Sequence, residues 1–314
     1  MSAEPVSQAL PRRRALVLSP VAFRRLAVAA TTMLVLIVAT GATVRLTGSG
    51  LGCEHWPGCQ PGDPFPARGF HSDVEFSNRV VAFFTVVATL ALAVGALRTT
   101  GLGRGVKILA WLVFAGTLAQ APLGAITVYY HLNPGLVITH LLLSLVVLGA
   151  GVLVLLGASR LVRGGDGPLP SVARWLGAVT LVAVGALVVS GTLATAAGKF
   201  PGSSGQSMVR RIGHFQPAVA VHVRAVAVFG IVFGVLAIWA WRHRDRYPWL
   251  VRGCAGLVAI LAVQMAIGEL QYRTYGTVSW YVVLIHVALA ACLFAWTVGL
   301  TARLWRPLAH RRRN

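Results

Sequence analysis

The sequence predicts an all-α membrane protein in which eight transmembrane helices form two pseudo-symmetric four-helix bundles. Three observations carry that expectation. Apolar residues make up 56% of the 314 and charged residues only 11%, against roughly a quarter charged in an ordinary soluble domain. The apolar residues fall in runs of about 20 to 25, such as Leu26 to Val44 and Leu250 to Gly268, the length a helix needs to cross the hydrocarbon core. An offset of 144 residues relates the two halves: Gln120 and Gly124 recur as Gln264 and Gly268, the mark of an internal repeat.

The elements follow in order. Residues 1–24 form a basic segment, with Arg12, Arg13, Arg14 and Arg24 ahead of the first span at 25–47. That span is too long, and too closely followed by others, to read as a cleaved signal peptide. The external loop 48–73 holds Gly48, Gly50, Gly52, Pro57, Pro61, Pro64 and Pro66, a composition of turns rather than helix. The second span, 74–96, is followed by Arg98, Arg104 and Lys107; the third, 106–130, carries Gln120; the fourth, 135–158, carries His140. These four make a first half, 25–160, joined by a linker at 161–171 to a second half, 172–304. The second half contains spans at 172–195, 216–241, 250–271 and 279–303, and a basic tail, 305–314, closes the chain. The sixth span ends at Arg242, Arg244 and Arg246.

The net charge of +20 lies at the ends of apolar runs, not in a patch beside aromatic readers, so it argues for membrane topology and against nucleic acid. About 20 of the Lys and Arg residues fall on the side of the two termini and about 8 on the other, which puts both termini in the cytoplasm.

Ionisable groups inside a bilayer are costly, so His140, His222 and His286 are candidate functional residues. Each either hydrogen-bonds a neighbouring helix or ligates the iron of a haem, which facing helices of a bundle can grip from both sides. His222 and His286 make a candidate axial pair in the second half. In the first half the repeat sets Asn78 opposite His222, with Arg79 and Arg224 just beyond them, and sets His140 near the register of His286. Asn78 is a poor iron ligand, so either a haem there is held on one face, the arrangement that suits oxygen chemistry, or this half has lost its haem site and Asn78 merely bonds across helices. Arg79 and Arg224 either anchor porphyrin propionates or snorkel to the interface. Glu75 is either a solvated residue near a helix start or a group that handles protons or steadies positive charge on a substrate. Cys53 and Cys59 flank His55 and Trp56 in the external loop, as a disulfide, a redox dithiol or part of a zinc site. Cys254 and Cys292 read as packing residues.

Taken together, the RLTGSGLGC segment (Arg45 to Cys53), Cys59, the EFSNR segment (Glu75 to Arg79) and the three histidines resemble haem A synthase of the bacterial kind, over all but the basic ends. The resemblance implies a multi-pass enzyme of the bacterial cell membrane that oxidises a methyl group of haem O to the formyl group of haem A for cytochrome oxidase. It implies a haem b cofactor on His222 and His286, substrate haem on His140, an important carboxylate at Glu75, and an external pair at Cys53 and Cys59. Haem O synthase and an electron donor are the partners it suggests. The chain departs from the family pattern at Asn78, where many members have histidine, and in lacking a second cysteine pair between Lys199 and Gln216. His71 and His214 have no assigned role. Rival expectations are a b-type cytochrome that only relays electrons, and a repeat transporter, which calls for broken helices with midplane charges.

Overall fold

The computed structural model describes residues 17–56, 58–203, 211–306 and 308, with helices α1 (Pro20–Leu46), α2 (Phe70–Arg98), α3 (Arg104–Tyr129), α4 (Pro134–Arg163), α5 (Ser171–Ala197), α6 (Phe215–Arg242), α7 (Pro248–Arg273) and α8 (Trp280–Trp305). All eight are long and apolar enough to cross a membrane. The basic residues Arg12 to Arg14 and most of the 305–314 tail lie outside the described residues. Proline, whose missing N–H costs nothing in the first turn, opens α1 at Pro20, α4 at Pro134 and α7 at Pro248. Several helices run past the apolar stretches. Thus α2 begins at Phe70 rather than 74 and α4 reaches Arg163 rather than 158, because a helix satisfies its own backbone and persists into the interface.

In the first half α1 packs on α2 and α4, and α3 packs on the same two helices, closing a ring; in the second half α5 packs on α6 and α8, and α7 on α8, while α6 and α7 touch only slightly. Neighbours therefore recur as the repeat predicts, with one side of the second ring ajar. The halves meet along α1, α4, α5 and α8, and Phe294 packs against the cores of both.

Lipid tails are as apolar as leucine, so close packing rather than burial holds such helices together. Large apolar side chains such as Val182 and Ile231 accordingly point outward, 73% and 70% exposed. Inside, small residues let helices approach: a Cβ at Gly177 would lie 2.4 Å from Leu304 Cδ1, and one at Gly151 2.8 Å from Leu34 Cδ1. The hydroxyls of Thr85, Thr89, Thr297 and Thr301 donate to carbonyls one turn back, which satisfies them where no water reaches.

At the end opposite the basic clusters, the two long loops are stitched together. Gly50 N–H donates to Gly202 O at 2.8 Å and Ser49 pairs with Ser203. Arg45, at the end of α1, donates from Nη2 to Thr195 O (2.9 Å) in the last turn of α5 and from Nε to Phe200 O (3.2 Å) just beyond it. The turn from α3 to α4 passes through His131 and Leu132 at φ 51° and 58°, left-handed values that bulky residues rarely adopt. Buried Leu132 wedges against both Gly50 and Gly202.

Candidate functional site

The slight α6–α7 contact leaves room for a cavity of about 760 Å³ that lies mainly in the second half, with Val38 and Leu46 of α1 and Leu141 and Leu145 of α4 completing its wall, within the size range of small-molecule and cofactor sites. Its walls are mostly apolar, with Leu141, Leu145, Leu187, Val188, Leu261 and Val287 among them. His222 of α6 and His286 of α8 both line it, each about two turns in from the stitched end. Arg224, Lys199 and Glu269 line it as well.

Each histidine is held by its neighbours. His222 Nδ1 lies 3.0 Å from Ser190 Oγ on α5, leaving Nε2 as the ring nitrogen outside that bond. Gln264 Nε2 donates to the His286 carbonyl at 3.0 Å. The ring of His286 stands over Gly268, and its Nδ1 is buried without a hydrogen-bond partner among the described residues. Two imidazoles on different helices, one orphaned inside an apolar cavity, fit a haem iron bound between them.

The first half shows the counterpart. His140 stands over Gly124, 3.6 Å from where a Cβ would sit, and its Nδ1 is buried without a partner among the described residues. Both amide atoms of nearby Gln120, the repeat equivalent of Gln264, are in the same state. Such orphaned polar groups are costly in isolation, and they fit a site completed by a ligand. Asn78, on α2, accepts at Oδ1 from Thr40 Oγ1 of α1 at 2.7 Å.

The carboxylate one turn from Asn78 is fully engaged. Glu75 is buried, and its Oε2 accepts from Gly52 N–H (2.8 Å) and Cys53 N–H (2.9 Å), while its Oε1 pairs with Arg79 Nη2 at 2.6 Å. Arg79 in turn donates to the carbonyls of His55 and Gly58. Together they clamp the loop closed by the Cys53–Cys59 disulfide. Of the three readings of that cysteine pair, the zinc site falls away: the disulfide consumes both thiolates, and the described residues hold no cluster of three His, Cys, Asp or Glu. The loop sits hard against α2, since a Cβ at Gly52 would lie 2.4 Å from His71 O. His71 Nδ1 contacts Ser49 Oγ at 3.0 Å, and His214 precedes α6 beside Tyr272 and Arg273.

The structure thus brings His222, His286 and Arg224 to one cavity and joins Glu75 and Arg79 to the cysteine loop. Sequence reasoning passed over Ser190, Thr40 and Arg45 as partners; only Gln120 and Gln264 had a signal, their repeat spacing.

Fold and cavity define a multi-pass membrane protein whose facing helices present histidines to a mostly apolar cavity. The chain belongs to the COX15-CtaA family, described as cytochrome oxidase assembly protein, whose profile matches residues 24–68 and 70–298. A heme A synthase of Geobacillus kaustophilus is 27% identical over 280 residues, 84% of this chain and 86% of that one. A heme A synthase of Bacillus licheniformis is 34% identical over 126 residues, 40% of this chain and 41% of the relative, so the match spans about two fifths of that relative's length. A Thermus thermophilus protein named protoheme IX farnesyltransferase is 29% identical over 278 residues, 83% of this chain and 45% of that protein.

Proposed function

We propose that this protein is a haem A synthase, oxidising a methyl group of haem O stepwise to the formyl group of haem A. The carrying observation is the second-half cavity, where His222 and His286 converge among apolar walls. Family membership and relatives named heme A synthase support catalysis over a bare electron relay. The unbroken helices speak against a transporter.

In this reading the chain divides into a substrate half, 25–160, and a cofactor half, 172–304. His222 and His286 would hold haem b, with the Arg224 guanidinium available to pair with a propionate carboxylate; His140 would hold the substrate haem in the first half, with Asn78 and Arg79 on the α2 side. Haem b supplies one-electron transfer when bound. Glu75 shares a face of α2 with Asn78, and its charge, balanced by Arg79, steadies positive charge that develops on the substrate. The loop that Glu75 and Arg79 hold shut over that end of the bundle keeps water out. The basic side faces the cytoplasm and the cysteine loop faces outward across a bacterial cell membrane. The T. thermophilus match, to a protein named for haem farnesylation, supports a haem O synthase as neighbour.

Pigment analysis tests the proposal. Purified protein should carry haem B, and membranes that contain it should convert haem O to haem A, as read by chromatography of the extracted haem. A colourless protein that takes up no tetrapyrrole would overturn it.

A further inference from the structure

A hydroxyl and the glycine that follows it occupy matching places in the two halves. On α5, Ser190 Oγ lies 3.0 Å from His222 Nδ1, and a Cβ on Gly191 would come within 3.1 Å of the ring's Cε1. On α1, Thr40 Oγ1 donates to Asn78 Oδ1 at 2.7 Å, and a Cβ on Gly41 would lie 4.0 Å from the same oxygen. The opposite walls match too, with Gly124 facing His140 and Gly268 facing His286. The frames agree, and one position differs in chemistry.

That difference decides what each site offers an iron. A hydroxyl on Nδ1 fixes the tautomer and orientation of an imidazole, so that Nε2 remains to coordinate. A hydroxyl that donates to an amide oxygen has the opposite result: it ties that oxygen to α1 and leaves the NH2 group, two donors without a lone pair for a metal, as the untethered end of Asn78. Resting on the haem reading above, we infer that Ser190 and Thr40 are positioning residues that make the two sites unlike. Ser190 orients His222 so that it would serve with His286 as an iron ligand. Thr40 turns Asn78 into a hydrogen-bond donor, so the first-site haem is ligated from the α4 side alone, by His140, and its other face stays open to a small polar ligand bordered by N–H groups.

Electron paramagnetic resonance of the purified full-length protein, carrying its own haem and loaded with haem O, reads this directly. The wild type should show a low-spin signal from the second site and a high-spin signal from the first. Grafting the second-half pair into the first half, Thr40→Ser with Asn78→His, should abolish the high-spin signal and add a second low-spin one. Ser190→Ala should shift the low-spin g-values and leave the high-spin signal unchanged, with Ser190→Thr restoring them. Haem O that is already low-spin in the wild type overturns the inference, and needs no variant to fold. So does a graft that assembles with its second-site signal intact yet stays high-spin. Either result leaves the proposed function standing, whereas a wild type with no low-spin haem at all removes both.

Discussion

His222 on α6 and His286 on α8 reach one cavity from helices that do not pack on each other, α6 being nearly free of α7 as well, so each imidazole is placed by its own neighbours and each can be removed singly. His222→Ala or His286→Ala should strip the low-spin haem b spectrum, measured optically on purified protein; an unaltered spectrum in both would refute the cofactor assignment. Glu75 is a different kind of residue. Three bonds converge on it, and its loss leaves Arg79 without its carboxylate. Glu75→Ala should cost about 1–3 kcal/mol of stability, the cost of leaving the Gly52 and Cys53 N–H groups without their acceptor, and stop haem A formation while both haems remain bound. Unchanged haem A yield would remove Glu75 from the mechanism. The EFSNR spacing, with Glu75 and Arg79 four apart, already permitted this pair on a helix; what it could not convey was that both would be spent on the backbone of a distant loop.

At the scale of elements, the loop 47–69 is held from two directions, by its disulfide and by the α2 backbone beneath Gly52. Replacing Cys53 and Cys59 by serine removes about 2–3 kcal/mol of loop restraint by the chain-entropy argument. Proteolysis within the loop should then accelerate while the second-half haem spectrum is retained. Gly52→Ala, which drives a methyl group into His71 O, should lift the loop off α2 and lower the thermal midpoint in detergent with the disulfide still formed. The spans were legible because bilayer thickness dictates run length, and charge asymmetry marks their ends. The hydroxyl partners were not. The loop 47–69 is six residues longer than its counterpart 198–214, so α1 and α5 align at an offset of 150 rather than 144 and Thr40 never fell opposite Ser190. A two-residue difference between the turns 130–133 and 274–279 likewise moves His286 off strict register with His140.

Across the whole molecule, the halves share one helix-to-helix seam and one seam of loops. Arg45 is the charged member of the second: its guanidinium donates to two carbonyls of the other half. Arg45→Met forfeits two bonds to a charged group, each worth about 1.5–3 kcal/mol. It should lower the thermal midpoint and weaken retention of both haems together, a joint loss that substitutions confined to either half should not reproduce. If haem retention changes in one half alone, the seam does not couple the sites.

The Leu132 wedge makes the two halves complementary rather than interchangeable. Loops of unequal length, one from each half, interlock around a single leucine, so neither half can close its outer end alone. A gene split at residues 161–171 should therefore yield fragments that need each other.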